Sequence, residues 1–313
     1  MTTFNRRSFI KRSAMLTALA ASAARLLPTY ATGNATVANW QGTSHPYFTD
    51  DRKLPEVIAH RGGNGQWPGE TMRAFREAAK LNVDVLEMDV FLSANGELML
   101  MHDHEVEVTT DGEGKINKLH SDQLQCLNAG HKWSPDGESR PFKDVDVSSP
   151  KFQDLKVPRL EEVFGEFPNT RMVIEMKKAD RSPAAALGAM IRKHSMTNKV
   201  LVASFVGNFM TEFRRLYPEV ATSFSLSKGD VKRLISGTKI SDNDTSDPRA
   251  IQLPYRLITE EVVRRAHDRN IKVHAWTVND LDKMYMMWNR GVDGIITDYP
   301  GPLLALLGRA RPV

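Results

Sequence analysis

Seven side chains able to carry acid, base or anion-binding chemistry fall in two short stretches. Residues 57–103 read VIAHRGGNGQWPGETMRAFREAAKLNVDVLEMDVFLSANGELMLMHD and supply His60, Arg61, Glu87, Asp89 and His102; the segment VIEMK at 173–177 adds Glu175 and Lys177. Each lies within, or at the end of, a short apolar run of strand length. Paired histidines suit general acid and base roles because their pKa values lie near neutrality. A lone histidine at a strand end is more often a structural hydrogen-bonder. Here there are two, one followed by Arg-Gly and one by Asp, beside three acids. Arg61 adds a planar donor fork suited to phosphate.

Residues i and i+2 of a strand point to one side. Glu87 and Asp89 therefore share a face, with Leu86, Met88 and Val90 turned toward the surrounding helices. In VIEMK the same spacing puts Glu175 and Lys177 on one face and Ile174 and Met176 on the other. Three converging carboxylates repel one another and need a counter-charge. A divalent cation bound by Glu87, Asp89 and Glu175 would supply it, and all-oxygen ligation suits Ca²⁺ or Mg²⁺ better than zinc. The alternative is a buried ion-pair network in which Arg61 and Lys177 neutralise the acids. A divalent ion with Arg and Lys is also a typical clamp for phosphoryl oxygens.

The elements that must position these groups alternate along the chain. Strands are expected at 57–60, 83–92, 98–102, 171–176, 199–205, 221–226, 250–253, 272–278 and 294–297. Helical patterns such as ETMRAFREAAKL and TEEVVRRAHDRN lie between most of them. Such alternation means parallel strands with crossover helices. An open doubly wound sheet and a closed barrel both satisfy it, and length favours a (β/α)8 TIM barrel spanning 55–313. One unit is irregular, because Asn95-Gly96 is a hairpin signal that leaves no room for a helix between the strands of Asp89 and His102. Residues 104–170 lack clear periodicity and read as an insertion over the C-terminal mouth of the barrel. HAWTVND places Trp276 on the face of His274 and Val278; a tryptophan there is usually core, and at a barrel mouth it would instead wall a substrate pocket.

The 313 residues, 41% of them hydrophobic, can bury a core without cross-links, and the single Cys126 excludes an intramolecular disulfide. The net charge of +4 is carried by the leader: Arg6, Arg7, Lys11, Arg12 and Arg25 stand before residue 36 with no acid, and removing them leaves −1. A nucleic-acid footprint would need a basic face on the domain itself, so none is expected. Residues 1–35 have the form of an export signal, with NRRSFIKR resembling a twin-arginine motif, the apolar AMLTALAASAARLL, and small residues at Ala31 and Ala35. The apolar run is shorter than the roughly 20 residues of a spanning helix. The expected partner is the twin-arginine export machinery, the location periplasmic or secreted, and residues 36–54 a linker. No membrane span is expected in the mature protein. There is no Walker-type loop, GxGxxG after a strand, zinc-spaced Cys/His cluster or nucleophile elbow.

HRG (60–62), PGET followed by AF, EMDV (87–90), HD (102–103), TTDGEG (109–114), VPRLEEVF (157–164), EMK (175–177), WTVN (276–279) and GVDGIITDYP (291–300) together resemble the glycerophosphodiester phosphodiesterase family, in order, from about residue 56 to 304. The resemblance implies a TIM barrel hydrolysing glycerophosphodiesters to glycerol 3-phosphate and an alcohol. It also implies a divalent cation, often Ca²⁺, at Glu87, Asp89 and Glu175, an acid/base pair at His60 and His102, and phosphate contacts from Arg61 and Lys177. Two departures fall in loops expected to line the mouth: Pro68-Gly69-Glu70-Thr71 replaces the usual PENT, and Val108 replaces the usual Arg before TT.

Lysophospholipase D-like or phospholipase D- or C-like action on lipids would require an exposed apolar rim. Residues 104–170 are mostly polar, which favours a soluble substrate. A non-catalytic exported binding protein would have lost a histidine or an acid, and all five are present.

Overall fold

The computed structural model describes residues 45–48, 54–224 and 250–310. The expected export signal, its Arg6-Arg7 pair and the end of the predicted 221–226 strand lie outside these residues. Among the described residues, eight parallel strands form a nearly closed barrel: β1 (Glu56–Ala59), β2 (Val85–Leu92), β4 (Arg171–Met176), β5 (Val200–Ala203), β6 (Ala221–Thr222), β7 (Ala250–Pro254), β8 (Lys272–Trp276) and β9 (Gly294–Thr297). Their order around the barrel is β6-β5-β4-β2-β1-β9-β8-β7. A parallel bridge from Ser223 to Ala250 and the Phe224 N–H donating to the Ala250 carbonyl at 2.8 Å draw β6 toward β7. The short β3 (Leu98–Leu100) pairs antiparallel with β2 through the Asn95-Gly96 turn, where Gly96 takes a φ of 86°.

Strand alternation sorts the side chains into two layers. Leu86, Met88, Val90, Met172, Ile174 and Met176 pack outward against helices such as Met72–Lys80 and Ala184–Lys193. Ile58, Val85, Val173, Leu201, Ala250 and Ile296 fill the barrel interior. Gly294 is needed in that interior, since a Cβ there would stand 2.8 Å from Ile58 Cδ1 and 2.9 Å from His274 Cδ2. Residues 45–48 lie against the same apolar group: Tyr47 is fully buried and the Arg171 guanidinium lies 5.5 Å from its ring centroid. Part of the segment expected as linker therefore belongs to the packed body.

The stretch 104–170 is not wholly irregular. Its end forms the helix Leu160–Glu166, with Leu160, Val163 and Phe164 in the main outer core, completing the crossover to β4. Seven residues are too few for a periodicity to stand out in the sequence. The remainder has its own small core of Val106, Ile116, Leu124, Ala129 and Val157 under Phe91, Met99 and Met101. Trp133 Nε1 donates to the Asn64 carbonyl at 2.8 Å and so ties this stretch to the loop after β1. Among the described residues no helix is long and apolar enough to cross a membrane.

Candidate active site

His60 follows β1 directly and opens a tight turn in which Arg61 and Gly62 take φ values of 52° and 77°. Gly62 has no room for a side chain, because a Cβ would lie 2.8 Å from that of Ala74 in helix Met72–Lys80. That helix is fixed by Thr71, whose Oγ1 accepts from the Ala74 N–H at 3.2 Å and donates to the Pro68 carbonyl at 2.6 Å. The turn thus aims His60 and Arg61 into the barrel mouth. The Arg61 main-chain N–H donates to Glu87 Oε2 at 2.8 Å.

Glu87 and Asp89 point inward from β2, and β2 pairs with β4 so that Asp89 is opposite Glu175. The β2–β3 hairpin returns the chain to the same place: the Met101 N–H donates to the Asp89 carbonyl at 3.1 Å, and His102 comes next. All seven predicted groups, with Trp276, line one pocket of about 260 Å³. Its other wall, among the described residues, is mostly apolar, from Ala203, Phe205, Phe224, Trp276 and Ile296, with Ser204, Gln252 and Thr277 between them. Phe205 is half exposed and meets Trp276 edge to face at 5.9 Å. His274 shares the inward face with Trp276 as expected, but Val278 packs into the outer core, because β8 ends at Trp276 and the period of two ends with it.

The charges are crowded. Lys177 Nζ lies 3.1 Å from Glu175 Oε1 and 3.6 Å from Asp89 Oδ1, and Arg61 Nε lies 3.4 Å from Asp89 Oδ2 without hydrogen-bond geometry. Burial, then the Asp89 charge, pushes Glu87 up to about 7, and the same two causes take Glu175 up to about 8. Burial would raise Asp89 too, but Lys177 and Arg61 outweigh it and hold Asp89 below the ordinary carboxylate value.

The histidines are tuned in opposite directions. Burial opposes charge on His60, yet Glu87 and a 2.6 Å contact from its Nδ1 to Asp298 Oδ1 leave its pKa raised. His102 is lowered, because burial, Arg61 and Lys177 outweigh the pull of Asp89 and of Asp103, which lies 3.1 Å from its Nδ1.

The sequence did not single out Asp298, and it marked Glu70 only as part of a departure in a loop expected to line the mouth. Asp298 follows β9 within TDYP, a strand-end acid on the neighbour of β1, and that position was the available signal. Its Oδ2 accepts from Asn279 Nδ2 at 2.6 Å. Glu70 stands in the unusual PGET loop, 6% exposed, with Oε1 accepting from the Asp89 N–H at 3.0 Å. Burial, then Asp89 and Glu87, hold it well above the ordinary carboxylate value. Val108, the other departure, is half exposed.

The donor chemistry fits a hard divalent cation: three of the buried carboxylates are raised because Arg61 and Lys177 do not offset the charge they would carry when ionised, and Asp89 Oδ2 has no hydrogen-bond partner among the described residues. The side chains are gathered around Lys177, and among the described residues no three His, Cys, Asp or Glu groups close around one point.

A model of the "Glycerophosphoryl diester phosphodiesterase family" matches residues 60–302. A glycerophosphodiester phosphodiesterase of Bacillus subtilis is 29% identical over 263 residues, 81% of this chain and 86% of that one. The fold is similar to that of a Silicibacter pomeroyi protein described as a putative glycerophosphoryl diester phosphodiesterase, with a TM-score of 0.67 at 24% identity over 85% of this chain and 95% of the other. It is also similar to an Oleispira antarctica phosphodiesterase solved with its product sn-glycerol-3-phosphate, with a TM-score of 0.66 at 25% identity over 82% and 97%. The chain belongs to the glycerophosphoryl diester phosphodiesterase family.

Proposed function

We propose that this glycerophosphodiester phosphodiesterase acts on soluble substrates such as glycerophosphocholine and glycerophosphoethanolamine, releasing sn-glycerol 3-phosphate and an alcohol by acid–base catalysis between His60 and His102. The observation that carries this reading is the opposite tuning of two histidines lining one pocket. A raised imidazole suits the acid and a lowered one the base.

Arg61 and Lys177 receive the non-bridging phosphate oxygens and favour the charge that develops there. His102, neutral, takes the proton of the attacking hydroxyl, from water or from the glycerol 2-position; in the second case a water then opens the cyclic phosphate to give sn-glycerol 3-phosphate. His60, protonated and held by Asp298, gives its proton to the leaving alkoxide as the phosphorus–oxygen bond breaks. Glu87, Asp89 and Glu175 would hold Ca²⁺ or Mg²⁺, which supplies positive charge to the phosphoryl oxygens when bound. Trp276 and Phe205 wall the non-reacting part of the substrate. The pocket of about 260 Å³ lies near the lower end of ligand sites, roughly 300–1,000 Å³, which suits a deacylated substrate better than a lipid. Export through the twin-arginine route to the periplasm or beyond rests on NRRSFIKR and the apolar run that follows it.

The test is release of sn-glycerol 3-phosphate from glycerophosphocholine, with and without EDTA and with Ca²⁺ or Mg²⁺ restored. Activity lost to chelation and returned by one ion supports the reading. A His102→Ala variant with full turnover overturns the role assignment, and lysophosphatidylcholine cleaved as fast as glycerophosphocholine overturns the substrate preference.

A further inference from the structure

Glu70 has no part in the proton transfers above and does not line the pocket, yet it is a fourth buried acid, bonded to the main chain of Asp89. Its conformation is costly: φ is +56°, in the left-handed region that non-glycine residues rarely adopt. The surroundings fix it there. Its own N–H donates to the Arg61 carbonyl at 3.1 Å, and the next residue, Thr71, is tied into the cap of helix Met72–Lys80. One carboxylate oxygen accepts from the Asp89 N–H at 3.0 Å, while Oε2 is buried with no hydrogen-bond partner among the described residues.

A glutamate is a poor choice if only the backbone bond mattered. An asparagine enters the left-handed region more easily and offers an amide oxygen to the Asp89 N–H. What glutamate adds is charge beside Asp89 and Glu87. With Glu70 counted, and with all four acids ionised as a bound divalent cation would favour, they exceed the two permanent cations, Arg61 and Lys177, by two charges, while His60 is matched by Asp298. The remaining deficit is two positive charges, the charge of one divalent cation. With an amide at residue 70 the deficit would be one.

We propose that Glu70 is a positioning residue for the cation site, holding Asp89 through its main-chain N–H and contributing the negative charge that matches the pocket to a divalent ion. The inference rests on the cation reading of Glu87, Asp89 and Glu175. Outer partners of ligating carboxylates commonly change metal affinity by about 10- to 100-fold.

The experiment is calorimetric titration of the metal-stripped protein with Ca²⁺ and with Mg²⁺, for the unaltered chain, Glu70→Gln and Glu70→Asn, with the thermal midpoint of each stripped protein recorded. Both variants lose the charge, and Glu70→Gln keeps an acceptor at the same reach for the Asp89 N–H. The expected result is a dissociation constant raised about 10-fold or more in both, with midpoints of the stripped proteins unchanged and turnover recovered at saturating ion. Should Glu70→Gln fail to fold, Glu70→Asn decides the matter, being the better fit to the backbone. Affinities within twofold of the unaltered chain overturn the inference and leave the cation reading standing. No binding by the unaltered chain overturns both.

Discussion

Asp298 Oδ1 lies 2.6 Å from His60 Nδ1, although 238 positions separate them in sequence. The parallel pairing of β1 with β9 sets Ala59 opposite Thr297, so the residue after each strand meets its counterpart at the barrel mouth. The carboxylate fixes which ring nitrogen of His60 faces the pocket and favours the charged imidazole.

Asp298→Asn should therefore lower kcat/KM by about 100-fold or more. It should also move the alkaline limb of the pH profile to lower pH, since the amide no longer favours His60 in its charged form. Steady-state kinetics on glycerophosphocholine across pH measures both effects. An unchanged alkaline limb would show that His60 is not the acid.

The activity of the unaltered chain should be bell-shaped in pH. His60, facing Glu87, Asp298 and Arg61, has a raised pKa and keeps its proton above the ordinary histidine range. His102, facing Asp89, Arg61, Lys177 and Asp103, has a lowered pKa and remains a free base below it. Activity falls on the acid side as His102 takes a proton and on the alkaline side as His60 loses one. The plateau is thus wider than two unperturbed histidines would give.

Glu175→Gln should weaken divalent-cation binding at least about 10-fold, and EDTA should suppress turnover of the unaltered chain until Ca²⁺ or Mg²⁺ is returned. Calorimetry and coupled assay of glycerol 3-phosphate are the measurements. Full activity in EDTA would mean that Arg61 and Lys177 alone offset the acids.

Tyr47→Ala should destabilise the fold by about 3–5 kcal/mol, as truncation of a buried aromatic does, since the ring is fully buried against the barrel interior beside Arg171. Tyr47→Phe should lie within about 1 kcal/mol of the unaltered chain, because the hydroxyl has no hydrogen-bond partner among the described residues. Urea unfolding compares them. Equal stability for all three would place residues 45–48 outside the cooperative unit.

The sequence by itself determined the parts of this protein that depend on local period and residue type. Alternation along VDVLEMDVFL separates Glu87 and Asp89 from Leu86, Met88 and Val90, and the structure keeps that division because a pleated strand has no other option. The Asn95-Gly96 turn likewise announces the β2–β3 hairpin. Together with the alternation of strand and helix patterns and the chain length, those signals pointed to a barrel with the seven groups at its mouth. Only the tertiary structure decided which distant residues complete them. Asp298 reaches His60 through strand neighbours joined by ring closure, Glu70 reaches Asp89 through a left-handed loop turn, and Tyr47 reaches the interior from a segment without periodicity. The opposite tuning of His60 and His102 is of the same kind, because a pKa shift is set by burial and by the charges that the fold brings near, and neither has a period in the sequence.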